Sequence, residues 1–553
     1  MNLTCTPIAA GHQAEGLCLL LELGAYRVLL DCGLADVTPL VNLKPGHPPV
    51  DAVFCSHAHP DHAQGLRSLR EHFPQLPIYT SEVTAQLLAT GQHPDSSTSA
   101  CQALPWRSPV EFLPGLTVEL WPAGHLPGAA AILLTVELAP KAYTVFFTGD
   151  FFLSNSRLVD GLPLDELRGL RPDVLIMEGS YGTARYPHRR QQENHLAEQI
   201  HRIVKAGRSV LLWVPPLGLG QELLMLLRSH HHFTGQAIDL WVDEAIALGC
   251  DAYLELLPHF PATVQNFARH QALFWDDRIR PHLRRLATVT PNAPLTAPSI
   301  VLVEEHTDLR AIAPLIPPPW TLLLPERPGQ SAGNDWLARL APPPRSPTPD
   351  PTPWITAQLN RGNLQVETFL LAEHCDSAGT TQLIHNLRPQ HVVFVHGSPV
   401  YLADLTGLEE LQTRYQLHSP PAGQVVELPI GERFIQPAPP ETVYDGELTE
   451  LEGHVLLEFE PNLTLDPRWQ RFSETGVVTA RWQGEELVVR CVSPTELLQP
   501  PADPGRDRRR GDCCQQCQFY RGQTCRNDAS PLYQFQVTPD GYCPSFAAKL
   551  TNL

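Results

Sequence analysis

The stretch CSHAHPDH, residues 55–62, contains three histidines and an aspartate. It follows the apolar run VDAVF, which predicts a buried strand. Such a cluster is costly to remove from water unless something compensates it, and a bound metal ion is the simplest compensation. His57 and His59 would point the same way from an extended segment, whereas Asp61 and His62, at a predicted helix start, would aim at a second point nearby. One short loop could therefore supply ligands to two adjacent metal ions; the alternative is a solvated histidine-rich loop.

Further candidate ligands follow other predicted strands. WPAGHLPGAA contains His125, and AYTVFFTGD ends in Asp150, whose carboxylate could bridge two ions. YRVLLDCG contains Asp31, to which we assign a supporting role that holds a ligand histidine in the metal-binding tautomer. Taken singly, each of these residues is more typical of a turn. Because several strands end in such residues, the sequence predicts that reactive groups gather at one rim of a sheet.

Length and charge limit the class of protein. The chain has 553 residues, 43% of them hydrophobic and 18% charged, which is typical of a soluble protein with several domains. Its formal net charge of −19 argues against a generally basic surface for nucleic acid, so a polyanionic substrate must be held locally. The N-terminus lacks signal-peptide features, and the apolar runs are too short to span a membrane. We therefore expect a cytoplasmic protein that makes no membrane contact.

Four motifs together identify a known superfamily. LLDCG, SHAHPDHAQG, AGHLPGA and FFTGD, in this order and spacing, resemble the metallo-β-lactamase superfamily. The resemblance implies an α/β fold, an αββα sandwich with a dinuclear metal site. It also implies one metal held by His57, His59 and His125, a second held by Asp61 and His62, and Asp150 shared between them.

The resemblance extends to the β-CASP nucleases, which include the messenger-RNA 3′-end endonuclease, ribonuclease J and the Artemis-type DNA nucleases. Their additional motifs are matched by Glu178 in LIMEGSYG, His374 in LLAEHCDS and His396 in VVFVHGSP. The resemblance implies that His374, polarised by Glu178, donates a proton to the leaving group, and that His396 completes the shell of the second metal. A histidine at the last of these positions accompanies the RNA-acting members.

The sequence departs from this family at positions that contact substrate phosphate. Ala372 stands where the family usually carries a serine, Ser398 follows Gly397 in place of glutamate, and GLGQELL lacks an arginine. The candidate metal ligands are unaffected. The predicted chemistry is therefore better supported than the predicted substrate.

The motifs and composition predict five segments along the chain. These are the first part of the metallo-β-lactamase domain (1–185), an inserted α/β β-CASP domain (186–357) with a proline-rich loop (316–355), the second part of the first domain (358–420), a small β module (421–500) and a cysteine-rich tail (501–553).

The tail carries a separate candidate site. Cys514, Cys517, Cys525 and Cys543 could close a tetrahedral zinc site or hold an iron–sulfur cluster. The alternative is a pair of disulfides, which a reducing compartment disfavours.

The predicted function is metal-dependent hydrolysis of RNA phosphodiesters. Asp61, Glu178, His374 and Asp31 are the predicted catalytic residues beside two Zn²⁺ ions, with Mn²⁺ as the alternative metal. Two other functions are left open: hydrolysis of small esters, thioesters or lactones, and a catalytically silent RNA-processing subunit. The oligomeric state is also open, with a homodimer among the alternatives.

Overall fold

The computed structural model describes two compact units, residues 1–438 and 439–553. Within them it describes residues 3–12, 15–44, 46–90, 101–138, 141–326, 351–430, 446–451, 454–459, 478–483, 486–491, 514–521, 524–527, 530 and 547.

A mixed seven-stranded sheet begins the first unit. Its strands, in chain order, are β1 (Leu3–Ala10), β2 (Leu17–Leu23), β3 (Tyr26–Leu30), β4 (Ala52–Phe54), β5 (Ile78–Ser81), β6 (Gln102–Leu104) and β20 (Val426–Glu427). They are arranged in the order β20-β1-β2-β3-β4-β5-β6, antiparallel as far as β3 and parallel beyond it. The helices along this part of the chain are α1 (Thr38–Leu43), α2 (Pro60–Ala63), α3 (Leu66–His72) and α4 (Glu82–Thr90).

A second mixed seven-stranded sheet has the order β19-β18-β11-β10-β9-β8-β7. Its strands are β7 (Val110–Leu113), β8 (Leu116–Pro122), β9 (Ala130–Leu138), β10 (Lys141–Phe147), β11 (Val174–Glu178), β18 (His391–Val395) and β19 (Gln416–His418). The accompanying helices are α5 (Leu164–Leu167), α12 (Ser377–Leu387), α13 (Pro399–Thr406) and α14 (Glu409–Gln412). Strands β18 and β19 follow an insertion of about two hundred residues, so the sheet is completed from two distant parts of the chain.

The two mixed sheets face each other across one hydrophobic core. Alternate residues of each strand point into it, including Phe54 of the first sheet and Val174 and Ile176 of the second. Leu40 and Leu69 belong to a separate core on the outer face of the first sheet. Helices α12 and α13 cover the outer face of the second sheet in the same way. The result is the α/β/β/α layering that the sequence predicted.

The insertion forms a six-stranded sheet in which every strand pair is parallel. Its order is β14-β13-β15-β12-β16-β17. The strands are β12 (Ser209–Val214), β13 (Asp239–Val242), β14 (His282–Arg285), β15 (Ile300–Glu304), β16 (Trp320–Pro325) and β17 (Leu364–Phe369), and the helices are α6 (Arg189–Lys205), α7 (Leu219–Ser229), α8 (Glu244–Glu255), α9 (Ala262–His270), α10 (Leu309–Ile312) and α11 (Thr352–Asn360). Apolar side chains of α6, α7 and α8 cover one face of this sheet.

The prediction of a loop over residues 316–355 is wrong for part of that range. Residues Trp320–Pro325 form a fully buried strand between β12 and β17, and α11 starts at Thr352. The apolar run WTLLL lies between prolines, and Pro325 is the last residue of the strand, where a missing N–H group disturbs the sheet least. Residues 327–350 lie outside the described ranges.

Strand pairing also differs from two of the predicted segment limits. The predicted limit at residue 357 falls before β17, which pairs with the parallel sheet, and the limit at 421 falls before β20, which pairs with β1. In the second unit the predicted strands occur as two hairpins, β21 (Gly446–Leu451) with β22 (His454–Phe459) and β23 (Val478–Gln483) with β24 (Glu486–Cys491). A short pair, β25 (Tyr520–Arg521) with β26 (Thr524–Cys525), follows. Within the described ranges, no helix combines the length and apolar character of a membrane span.

Candidate metal centre

The candidate ligands gather at the ends of strands from both mixed sheets. Strand alternation explains part of this, because Val174 and Ile176 of β11 point between the sheets and Glu178, two residues further, keeps that direction at the rim. His57 follows β4 and Asp150 follows β10 at the same rim, and both are buried. The predicted gathering of reactive groups is therefore observed.

The first cluster contains His57, His59, His125 and Asp150. Each offers a ligand atom, and these four atoms all lie within 4.8 Å of one another. His59 Nδ1 is 3.2 Å from His57 Nε2 and 3.1 Å from His125 Nε2. Asp150 Oδ2 is 3.6 Å from His57 Nε2 and 3.7 Å from His125 Nε2. Ligand atoms about 2.1 Å from a tetrahedral zinc ion are about 3.4 Å apart, so these separations match such a site.

The second cluster contains Asp61, His62 and His396, on the other side of Asp150. His396 Nε2 is 3.2 Å from Asp61 Oδ2, and His62 Nε2 is 3.9 Å from the same oxygen. His62 Nε2 also lies 3.3 Å from Asp150 Oδ1. Since Asp150 turns Oδ2 to the first cluster and Oδ1 to the second, one carboxylate stands between the two groups. This is the geometry of a bridging ligand.

Hydrogen bonds to the opposite ring nitrogens orient the imidazoles of the first cluster. Ser56 Oγ donates its proton to Asp31, so His57 Nδ1, 2.9 Å from Ser56 Oγ, must donate to it. His59 Nε2 faces the Leu217 carbonyl at 3.4 Å, and His125 Nδ1 faces the Glu373 carbonyl at 3.0 Å. A carbonyl can only accept, so these nitrogens carry the hydrogens. The nitrogens inside the cluster are left with free lone pairs.

The second cluster is oriented in the same way. His62 Nδ1 donates to Asp31 Oδ2 at 2.8 Å. Ser180 Oγ donates to Glu178 at 2.5 Å, so His396 Nδ1, 2.8 Å from the same oxygen, must donate to Ser180. The predicted role of Asp31, to hold a ligand histidine in the metal-binding tautomer, corresponds to this contact.

Several residues of the site have left-handed backbone conformations. Asp31 and His396 both adopt left-handed φ angles, +58° and +51°, which are uncommon for residues other than glycine. Gly149, with φ +54°, allows the chain after β10 to pass Ser56, since a Cβ there would lie 2.7 Å from the serine Cβ. The TGD motif therefore needs its glycine so that Asp150 can reach the clusters.

The site fits metal ions. His62 Nε2 and Asp150 Oδ1 are buried and have no hydrogen-bond partner among the described residues. Five imidazole lone pairs converge within two groups, and lone pairs about 3 Å apart repel unless a cation lies between them. Imidazole and carboxylate ligands suit zinc and related divalent ions. The donor set thus supports a metal site.

The electrostatic environments of the two clusters differ. Burial lowers the pKa of His57, His59 and His125, which favours the neutral, ligating form. Burial also lowers the pKa of His62, but the carboxylates of Asp150, Asp61 and Asp31 outweigh it and raise the pKa above its usual value. The field at the second cluster therefore favours a positive charge.

A further pair, His374 and Glu178, lies beside Asp150. His374 Nδ1 is 2.8 Å from Glu178 Oε2 and 3.0 Å from Oε1, and Phe151 N–H donates to Oε1 at 2.7 Å. Burial lowers the pKa of His374, but Glu178 outweighs it and the pKa rises to about 9. Cations bound nearby would oppose this rise. The structure thus brings the candidate metal ligands and candidate catalytic residues of this site together at one rim.

Two contributions to this rim were missing from the sequence predictions. Ser56 and Ser180 orient ligand imidazoles. Both could have been found in the sequence, because Ser56 immediately precedes His57 and Ser180 stands two residues after Glu178. The carbonyls of Leu217 and Glu373 also orient imidazoles, but a backbone group leaves no signal in residue type.

The parallel sheet also contributes to the site through the loop after β12. Besides the Leu217 carbonyl, Gly218 adopts φ +88°, and its Cβ position lies 3.3 Å from Glu373 Oε1 and 3.8 Å from His59 Nε2. A side chain there would enter the space between these groups. Gly218 therefore keeps the approach to His59 open.

The tail cysteines are only partly described. Cys514, Cys517 and Cys525 are buried thiols that form no disulfide among the described residues, and Cys543 lies outside those residues.

Comparison with known proteins places this site in a family. The model of the beta-lactamase superfamily domain matches residues 26–212. An uncharacterised protein of Synechocystis is 48% identical over 99% of this chain and 97% of its own length. The chain belongs to the metallo-β-lactamase superfamily.

Distant relatives within this superfamily extend over much of the chain. The cleavage and polyadenylation specificity factor 73 of Drosophila melanogaster is 25% identical over 71% of this chain and 59% of its own length. A probable RNase of Methanocaldococcus jannaschii is 27% identical over 40% of this chain and 57% of its own length. The predicted membership of the superfamily, with distant homology to its β-CASP members, is thus confirmed. Together with the histidine and aspartate clusters, it supports a metal-dependent hydrolase.

Proposed function

We propose that this superfamily member is a β-CASP-type phosphodiesterase that hydrolyses RNA. The observation that carries the proposal is Asp150, which turns one oxygen to each metal-ligand cluster while the His374–Glu178 pair lies beside it. Two ligand groups that share a carboxylate are suited to a pair of ions, and a proton donor next to them is suited to a poor leaving group. The RNA-processing names of two distant relatives support the choice of substrate.

In the proposal, one set of residues binds the metal ions and another transfers a proton. His57, His59 and His125 would hold one ion, Asp61, His62 and His396 would hold the other, and Asp150 lies between the two groups. Two such ions, when bound, would supply a water nucleophile near neutral pH and offset charge on a phosphoryl group. They would also offset the negative charge of this acidic chain at the point where a polyanion must bind.

His374 supplies the proton to the leaving oxygen. Its Nδ1 donates to Glu178, so Nε2 lies on the other side of the ring and can face the substrate. Glu178 is itself fixed by the Phe151 amide and the Ser180 hydroxyl, which hold the carboxylate and therefore the imidazole in place. A proton donor positioned in this way typically accelerates such a step by about 10²–10⁴-fold.

The test combines elemental analysis with an assay on 5′-labelled single-stranded RNA. We expect two ions in the catalytic clusters, cleavage of RNA, and slower cleavage of DNA of the same sequence. Turnover of small esters or thioesters without RNA cleavage would favour the small-molecule hydrolase. Full metal content with no turnover of RNA, DNA or esters would favour the silent subunit. Either result would overturn the proposal.

A further inference from the structure

A second group of histidines lies in the insertion, and none of its members belongs to the catalytic clusters. His230, His231 and His232 follow α7 directly, and each offers a ligand nitrogen within 4.8 Å of the others. Their ring centroids are 4.2–5.0 Å apart. His201 of α6 stacks on His232 with centroids 4.4 Å apart and planes within 6°. Three imidazoles of the segment after α7 and one of α6 therefore lie side by side.

Packing alone does not account for this arrangement. His230 is only 8% exposed, and its Nε2 is buried without a hydrogen-bond partner among the described residues. A buried nitrogen that is left unpaired destabilises the fold unless a ligand satisfies it. The other ring nitrogen, Nδ1, accepts a hydrogen bond from the His232 amide at 3.3 Å. That bond is long, so an ion bound through Nδ1 of His230 would displace little.

Two basic side chains, those of Arg157 and Lys205, lie near this group of histidines. Arg157 lies near His230, but its guanidinium already donates to Glu193 at 2.6 Å and to Ser229 Oγ at 2.9 Å. Lys205 lies near His201 on the same helix. The carboxylate of Glu193 is thus engaged by arginine, and among the described residues no ion pair joins an acidic side chain to the three consecutive imidazoles. What the group offers is imidazole nitrogen ligands.

We propose that His230, His231 and His232 bind a divalent transition-metal ion. Imidazole nitrogens are the ligands that zinc, copper and nickel accept readily, and three of them with one water complete a tetrahedral zinc site. A surface patch of solvated histidines would not require His230 to be buried with an unpaired nitrogen. The bound ion would fix the segment after α7, where His232 stacks on His201 of α6.

The position of the two helices gives this site a structural role. Gln192 of α6 accepts a hydrogen bond from the Ala372 amide at 2.7 Å, two residues before His374. The loop before α7 carries the Leu217 carbonyl that orients His59. An ion that fixes the segment after α7, where His232 stacks on His201 of α6, would therefore stabilise two elements that position the catalytic site, without contacting substrate.

The experiment compares ion stoichiometry in the full-length protein after dialysis against micromolar Zn²⁺. The variant is His231→Ala/His232→Ala, and the matched control is His270→Gln, which removes an exposed histidine of the same insertion. We expect the double variant to hold one ion fewer than the wild-type and control proteins, with a lower thermal midpoint in zinc. This difference does not depend on what the catalytic clusters hold or on which substrate is cleaved.

A second measurement identifies the ligands. Cu²⁺ added to zinc-loaded protein should give an electron paramagnetic resonance spectrum with hyperfine splitting from several nitrogens, and the double variant should lose it. Equal ion counts in the double variant and the wild type would overturn the proposal. Binding no tighter than that of a short peptide with the sequence SHHHF would also overturn it, because simple chelation by adjacent exposed histidines would then suffice.

Discussion

Replacing His374 with alanine should remove the proton donor and leave the metal ligands in place. His374 Nδ1 is 2.8 Å from Glu178, and the imidazole belongs to neither of the two ligand groups that Asp150 joins. General-acid catalysis contributes about 10²–10⁴-fold, so the barrier for RNA cleavage should rise by about 3–5 kcal/mol. The expected result is a rate lower by that factor with unchanged metal content.

The assay is single-turnover cleavage of 5′-labelled RNA, with the metal content of each preparation measured by elemental analysis. A control substrate separates proton donation from a general loss of structure. A 4-nitrophenyl phosphodiester has a weakly basic leaving group that needs no proton, so His374→Ala should lose much less activity on it. A circular dichroism spectrum equal to that of the wild type would establish that the variant is folded.

Two results would refute the reasoning. If His374→Ala cleaved RNA within about tenfold of the wild-type rate, the loss would fall below the range expected for a general acid. If the variant lost RNA and nitrophenyl ester cleavage equally, His374 would support binding or metal retention rather than proton transfer.

Four further predictions follow from the same geometry. His59→Ala should lose both the first-cluster ion and RNA cleavage, because the substitution removes one of three converging nitrogens; elemental analysis and the RNA assay check this together. Asp31→Asn should weaken metal affinity about 10–100-fold, since Asp31 accepts from the Ser56 amide with one oxygen and from His62 Nδ1 with the other, whereas asparagine has a single accepting oxygen; competition with a chromophoric chelator measures the change. Glu178→Gln should move the alkaline limb of the kcat/KM profile to lower pH. Glu178 raises the pKa of His374 to about 9, so the imidazole is protonated below that pH, and without the carboxylate it loses its proton sooner. Removal of the ions with a chelator should lower the thermal midpoint, by a stabilisation of about 2.7 kcal/mol for each ion present at 100 times its Kd, and restored zinc should recover it; differential scanning calorimetry detects both changes.

Short-range patterns were sufficient to predict much of the fold. Apolar runs identified β4, β10, β11 and β18, because a strand buried on both faces reads as a continuous apolar segment. The amphipathic stretch RRQQENHLAEQIHRIVKAG predicts a helix that is ended by Gly207, and helix α6 ends at Lys205, two residues before that glycine. Strand β16 was missed because prolines surround it, although only its last residue is proline. Composition over forty residues concealed a six-residue strand.

The candidate site could likewise be predicted only in part from the sequence. The types and order of His57, Asp150 and His374 identified the chemistry, since metal ligation and proton transfer each need particular side chains. The sequence could not decide which ring nitrogen each histidine presents. That choice depends on hydrogen bonds such as those from His125 to the Glu373 carbonyl and from His59 to the Leu217 carbonyl, across 248 and 158 residues of chain.

The amino-acid sequence by itself determined which groups are available and the strands at whose ends they stand. Only the tertiary structure decided that Asp150 turns an oxygen to each cluster, that a loop of the parallel sheet orients His59, and that four histidines of α6 and the segment after α7 meet. The physical reason is the distance along the chain over which each effect acts. Strand alternation acts over two residues and can be read along the chain, whereas coordination and tautomer depend on atoms about 3 Å apart in space whose residues are far apart in sequence.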